Sequence, residues 1–235
     1  MKSAAPRAVC AFVLMLIVAM ACTSVRAWPR RRAPRESPGT IPMVIRVYVY
    51  REIPKPMSRC ARELVTLILA RGGVTAEWQE GRAIRRGHAG DKPSAGEAAP
   101  VLVTLRLMDA PAKPSADTTS RTLGFAVLDP ETGRGDLTTV YVNRVLTLAR
   151  RAHGSPGELL GAVIAHEIGH VLLGSQQHGR SGVMQAEWSE HTLRLERLDR
   201  MEFTSAELTR IHARLRWVLV ESALAQRLQS IEFGP

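Results

Sequence analysis

Residues 165–178 read AHEIGHVLLGSQQH, and this stretch decides what fold and what chemistry the chain can have. On a helix, residues four apart lie on one face, so His166 and His170 can both present imidazole nitrogens to one ion at about 2.0–2.1 Å. Glu167 lies one step round the helix, where it can reach a metal-bound water without being a ligand. Short strings of this kind also occur in proteins that bind no metal. Here the string lies on a capped, apolar helix, which favours a zinc site.

The helix that carries these residues has clear start and stop signals. Ser155 is a good N-cap, a proline follows at the first helical position, and Glu158 places an acid in the first turn. Gly174 suits the left-handed turn that ends a helix. We therefore predict a long helix over 155–174.

A catalytic zinc ion has three protein ligands and one water, so a third ligand is needed. His178 is our choice, because it follows the glycine that ends the helix. The other interpretation of His178 is an ordinary surface histidine, since its neighbours are polar. Glu187 is a minor alternative, which would give the site an acidic third ligand. Zinc prefers imidazole to a neutral carboxamide, so Gln176 is the poorer candidate.

Strand patterns surround this helix in the sequence. Alternation of apolar and polar residues predicts five strands. Apolar residues at helical spacing predict a helix between the first two strands, capped by Ser58, and loops separate the last three strands. A capping box at Thr204 to Glu207 opens a C-terminal amphipathic helix that ends at about Arg227. Asn143 is the predicted cap of a short helix before the long one. The strands are predicted at 43–50, 74–78, 101–107, 123–128 and 137–142, with loops at 81–100 and 110–120 and a turn at 129–133.

The sequence resembles the metzincin metallopeptidases in the run from Ala165 to His170, and in Gly182-Val183-Met184, which looks like their Met-turn. The resemblance covers roughly 43–227. It implies an α+β fold with a mixed, mostly parallel sheet of about five strands, packed helices, an active-site helix and a C-terminal helix. It also implies a zinc-dependent peptidase in which Glu167 is the catalytic residue.

The chain departs from the family pattern H-E-x-x-H-x-x-G-x-x-H at its end. Gly174 comes one residue later than the pattern requires, and His178 comes two residues later, so Gln176 occupies the place of the family's third histidine. Met184 nevertheless follows His166 by 18 residues, as in matrixin-like members. The variant resembles a group of short predicted bacterial zinc peptidases. The family order also implies that residues 123–126 form the sheet edge over the active site.

The first residues predict export. Lys2 and Arg7 precede an apolar run, and the ending at Ala27 is of the kind that a signal peptidase cuts. We divide the chain into a signal peptide at 1–27, a basic Pro-rich lead-in at 28–42 and a zinc peptidase domain at 43–235, with the protein periplasmic or extracellular. A lipoprotein that uses Cys22 is a minor alternative, and an uncleaved anchor is another, although the apolar run is short for a membrane span.

The net charge of +10 comes mostly from arginines scattered over predicted helices, which are usually a solvated face. We therefore expect no nucleic-acid partner, a peptide or protein substrate, and no stable membrane span once the signal is cleaved. After cleavage Cys60 is the remaining cysteine, so no internal disulfide is possible, and we interpret it as a buried structural thiol.

The sequence leaves three functions open. The first is an exported zinc peptidase in which Glu167 activates a zinc-bound water. The second is a non-catalytic binding module stabilised by zinc, although a structural site has no need of Glu167. The third is a zinc hydrolase that acts on a non-peptide amide with the same water chemistry.

Overall fold

Five strands form one mixed sheet in the order β2-β1-β3-β5-β4. β1 pairs in parallel with β2 and β3, and β3 pairs in parallel with β5, whereas β4 runs antiparallel to β5. The predicted α+β class with a mixed, mostly parallel sheet is confirmed. The strands are β1 Ile41–Val49, β2 Val74–Glu80, β3 Val101–Met108, β4 Gly124–Val127 and β5 Leu137–Tyr141.

The structure is a computed structural model that describes residues 40–81, 100–112, 121–188, 190, 193 and 197–232, all within the unit Glu36–Pro235. The predicted signal peptide lies outside these residues, as do the lead-in up to residue 39 and most of the two long predicted loops. The helices are α1 Lys55–Arg71, α2 Val142–Ala152, α3 Pro156–Leu173 and α4 Ser205–Glu232, with a short 3₁₀ helix at Leu198–Arg200. In the part of the chain that is described, no helix combines the length and apolarity needed to cross a bilayer.

The core lies where α1 and α3 pack on the sheet. Every second residue of β1 is buried, from Ile41 to Val47, because side chains alternate between the two faces of a strand. The long helix α3 is buried on nearly its whole surface, with Leu160, Ile164 and Ile168 at 2% exposure or less. A helix that is apolar all round belongs in a core. Two of the three candidate ligands, His166 and His170, therefore lie on the most enclosed helix among those described.

The helices α1 and α3 approach closely because α3 has glycines on the contact face. A Cβ built on Gly161 would lie 2.8 Å from the backbone oxygen of Ala61, and one on Gly157 would lie 2.8 Å from the Cβ of Cys60. Cys60 is only partly buried. Its burial is the largest cause that raises the pKa of the thiol, and the negative charge of nearby Glu158 is the second. A thiol of this kind is a packing group rather than a nucleophile.

Several predicted caps are confirmed. The Ser155 hydroxyl accepts a hydrogen bond from the Glu158 backbone N–H at 3.3 Å. Gly174 ends α3 in the left-handed conformation, with φ of 60°. Thr204 and Glu207 form the reciprocal capping box, with bonds of 2.7 and 3.3 Å.

Two other predicted caps are wrong. The helix α1 begins at Lys55, and the N–H of Ser58 already donates to the Pro54 carbonyl, so Ser58 lies inside the helix. Pro54 at the N-cap and a second proline in the first turn set the helical backbone angle earlier than a hydroxyl cap could. The helix α2 begins one residue before Asn143, whose Oδ1 instead accepts a hydrogen bond from the backbone N–H of Ala110 at 3.0 Å.

The element ends shift by a few residues from those predicted. β1 begins at Ile41 rather than Met43, β4 is shorter than expected, and α4 continues to Glu232 rather than ending near Arg227. Ends are the weakest part of a pattern-based prediction, because terminal turns are held by few hydrogen bonds.

The close packing of α1 on α3 gives a test of the fold. Gly161→Val should lower the free energy of unfolding by about 1–3 kcal/mol or more, because the new side chain meets the backbone of α1. Gly154→Val is the matched control, since a Cβ at Gly154 meets nothing within 4 Å, and it should change stability by no more than about 0.5 kcal/mol. Equal urea midpoints for the two variants would contradict this packing.

Candidate metal centre

Three histidines come together at the end of α3. His166 and His170 lie one turn apart on the helix, and His178 folds back from the following loop. Among the described residues, these three offer ligand nitrogens that all lie within 4.8 Å of one another. The ring centroids are separated by 4.8 Å for His166 and His170, 5.2 Å for His166 and His178, and 4.9 Å for His170 and His178.

Backbone carbonyls orient the two helical histidines. The Nδ1 of His166 lies 2.8 Å from the Val183 oxygen, and the Nδ1 of His170 lies 2.8 Å from the Ser175 oxygen. A carbonyl only accepts hydrogen bonds, so each Nδ1 carries the proton and each Nε2 keeps its lone pair for a metal. The two Nε2 atoms are 3.2 Å apart. Two nitrogens bound tetrahedrally to zinc at 2.0–2.1 Å would be about 3.3–3.4 Å apart, so the donors present fit zinc.

The loop after α3 explains how His178 reaches the site despite its later position. The N–H of Ser175 donates to the His170 carbonyl across the left-handed turn at Gly174. Just after His178, the N–H of Gly179 donates to the Met184 carbonyl at 2.6 Å, and Gly179 forms a β-bridge with Gln185. The extra residues are thus contained in a loop that closes on itself, and the closure brings His178 back over α3.

The segment that resembles a Met-turn acts on the metal site through its backbone. Gly182 has φ of 74°, and a Cβ there would lie 2.5 Å from the Glu202 oxygen, so the turn requires glycine. The next residue, Val183, supplies the carbonyl that orients His166. Met184 is completely buried, and a Cβ on Gly169 would lie 2.3 Å from its sulfur. The glycine between the two helical histidines therefore admits the methionine against α3.

Burial sets the protonation of the two helical histidines. Removal from water lowers the pKa of His166 to about 4, an effect partly opposed by the hydrogen bond to Val183. Desolvation also lowers the pKa of His170. Both imidazoles are therefore neutral at neutral pH, which is the form that binds a metal.

Glu167 is buried beside the histidines, with 5% of its surface exposed. Loss of hydration raises the pKa of its carboxyl to about 8. Its carboxyl packs against β4, since a Cβ built on Gly124 would lie 2.8 Å from Glu167 Oε1. Glycine at 124 is needed here because any side chain would displace the carboxyl.

A cleft of about 1270 Å³ runs over the three histidines and Glu167. The cleft is lined by the start of β4, by part of α2, and by residues 185–188 and 190. Trp188 packs edge-on against His166 at 5.8 Å between centroids. Its Nε1 is buried without a hydrogen-bond partner within the described part of the chain.

The structure separates His178 from its competitors. Glu187 is exposed and lines the cleft, outside the cluster of ligand nitrogens. Gln176 turns its amide away, and its Nε2 donates to the Ala126 carbonyl of β4 at 2.8 Å. β4 is the last strand of the described sheet, so the predicted edge position of this segment is confirmed, and Leu123, Gly124 and Phe125 line the cleft.

Sequence reasoning missed the groups that hold the site in place. The carbonyls of Val183 and Ser175 and the contact between Gln176 and β4 carry no residue-type signal, because a backbone oxygen is present at every position. A glycine between two candidate ligands was the one available signal, and it marks the close approach of Met184.

Neither protein-family models nor curated protein sequences match this chain. Its structure is similar to that of archaemetzincin from Methanopyrus kandleri. The two are 17% identical, and the similarity covers 79% of this chain and 99% of the other, with a TM-score of 0.46. The functional assignment of this chain therefore rests on its own residues.

The buried carboxyl predicts how the metal-free protein responds to pH. A folded-state pKa near 8 lies above the ordinary value of 4.5, so stability falls as the pH rises through that interval. His166 acts oppositely, but between about 4 and 6.5. From pH 6.5 to 8 the free energy of unfolding in EDTA should therefore fall by about 1–2 kcal/mol. Glu167→Gln should lose this dependence; an equal slope in both proteins would refute the buried neutral carboxyl.

Proposed function

We propose that this protein is an exported zinc-dependent peptidase with Glu167 as its general base. The observation that carries the proposal is a buried carboxyl beside three convergent imidazoles, in a cleft bordered by a strand edge. His166, His170 and His178 would hold the zinc ion. The composition of the first 27 residues supports export.

The metal and Glu167 have separate chemical duties. Bound zinc would supply Lewis acidity that polarises the substrate carbonyl and makes water a stronger acid. Glu167 takes the proton from the attacking water and returns it to the leaving amine. Its burial serves this duty, because a carboxyl with a pKa shifted toward neutral pH can both accept and donate a proton during turnover.

The substrate class follows from the position of β4. A peptide in extended form can add to the open edge of a sheet through backbone hydrogen bonds. The start of β4 lines the cleft beside Glu167, so a peptide bound there would have its carbonyl close to the three histidines.

Two alternatives use the same residues. A binding module stabilised by zinc needs the three histidines but has no use for Glu167. Burial of this carboxyl lowers the free energy of unfolding, and a non-catalytic protein would gain nothing from it. A hydrolase of non-peptide amides would use the same proton transfers. The strand edge favours the peptide substrate over this third function.

Glu167→Gln separates catalysis from metal binding. The variant should keep one zinc per chain, because Glu167 is not among the converging ligands. Its turnover of cleavable peptides, first found with a random peptide library, should fall by about 10²–10⁴-fold, the usual contribution of a general base. Zinc content is measured by mass spectrometry and turnover by fluorescence. Glu187→Ala is the matched control, since this exposed acid of the same cleft should leave turnover nearly intact. Parental activity of Glu167→Gln at equal zinc content would reject the proposal.

A further inference from the structure

The hydrogen-bonding pattern of β4 shows which of its backbone groups are available to a substrate. The N–H of Tyr141 donates to the Leu123 carbonyl at 2.8 Å, and Phe125 pairs with Thr139 in the same antiparallel register. In an antiparallel pair, hydrogen-bonded positions alternate along the strand. Leu123 and Phe125 therefore face β5, whereas Gly124 and Ala126 direct their N–H and C=O groups outward, away from the sheet.

Side chains from other elements occupy two of the outward carbonyls. Gln176, in the loop that carries His178, donates its Nε2–H to the Ala126 oxygen at 2.8 Å. Arg144, on α2, donates its Nη1–H to the oxygen of Thr122 at 2.7 Å. The guanidinium of Arg144 also lies 4.9 Å from the ring centroid of Tyr141, and this cation–π contact restrains the Arg144 side chain. Both side chains line the cleft.

Gly124 is the outward position between these two carbonyls. It is also the point of β4 that approaches Glu167, as the 2.8 Å clash of a built Cβ with Glu167 Oε1 shows. No hydrogen bond from a described side chain reaches Gly124, and this backbone position lies directly beside the carboxyl that the proposed function uses as its base.

We propose that Gln176 caps the edge of β4 at Ala126 and that Arg144 caps the chain just before β4 at Thr122, so that a substrate peptide forms its backbone hydrogen-bond pair with Gly124 alone. This inference rests on the proposed function. The proposed substrates are peptides in extended form that pair with the backbone of a single residue at this edge. A peptide that forms a longer ladder there would have to displace the side-chain donor, or share the carbonyl with it, at each capped end. Gln176 and Arg144 are positioning residues, because they act through the backbone of the edge strand.

The cap itself is testable without any substrate. In zinc-loaded protein labelled with ¹³C and ¹⁵N, NMR should detect a coupling across the hydrogen bond between Gln176 Nε2 and the carbonyl carbon of Ala126. Gln177→Ala is the matched control, since Gln177 is the exposed neighbour of the same type, and it should leave that coupling unchanged. A folded, zinc-loaded protein without the coupling would overturn the cap at Ala126.

The consequence for recognition is tested by peptide binding in the Glu167→Gln background, where a cleavable library peptide stays intact. Methylation of the peptide amide that pairs with Gly124 should weaken Kd by about 3- to 10-fold, the size of one net hydrogen bond. Methylation two residues along, opposite Ala126, should leave Kd unchanged. Adding Gln176→Ala should make that second amide sensitive by a similar factor, whereas adding Gln177→Ala should not.

The outcomes separate the two proposals. Two sensitive amides with Gln176 in place would overturn the single-residue edge while the peptidase function stood. If zinc-loaded protein neither bound nor cleaved any library peptide, the proposed function would fail, and the coupling between Gln176 and Ala126 would still decide whether the edge is capped.

Discussion

Helix α3 buries His170 and Glu167 and partly buries His166 at the edge of the cleft, and the surrounding structure makes that burial tolerable. An isolated charge in such a place costs several kcal/mol, so the groups become neutral instead. Loss of hydration is the largest cause that lowers the pKa of His166 to about 4, and it raises the pKa of Glu167 to about 8. The carbonyls of Val183 and Ser175 accept the imidazole protons and leave the other ring nitrogens pointing at a common centre. Burial therefore keeps the two imidazoles neutral, which is the form that can bind a metal, and leaves Glu167 a neutral carboxyl below a pH of about 8.

The same helix connects the core to the cleft, and its glycines lie where neighbouring segments pack closely against it. Gly161 admits α1 on one side, and Gly169 admits Met184 on another. At the cleft, Gly124 of β4 admits the Glu167 carboxyl. Each approach would be closed by a single methyl group. Stability of the core and placement of the site are thus set by the same packing, which is why a substitution far from the histidines can alter them.

Most of the fold could be predicted because its signals are local. The alternation in β1, the caps at Ser155 and Thr204 and the glycine at 174 each report the conformation of a few residues. The helical spacing of His166 and His170 likewise fixes their common face before any tertiary contact is known. The starts of α1 and α2 were wrong where a proline or a tertiary contact replaced the side-chain cap, as at Pro54 and Asn143. Long-range partners such as Ala126 for Gln176 depend on the assembled fold, and the sequence gives no signal of them.

The central claim is that three imidazoles and one oxygen surround a single zinc ion at the end of α3. X-ray absorption at the zinc edge of the metal-loaded protein measures the number and type of ligands directly. We predict three histidine nitrogens at about 2.0–2.1 Å and one light-atom ligand from solvent. The number of histidine ligands should fall to two in His178→Ala and stay at three in Glu187→Ala. A spectrum with two histidines and a carboxylate in the parent, changed by Glu187→Ala and not by His178→Ala, would contradict it.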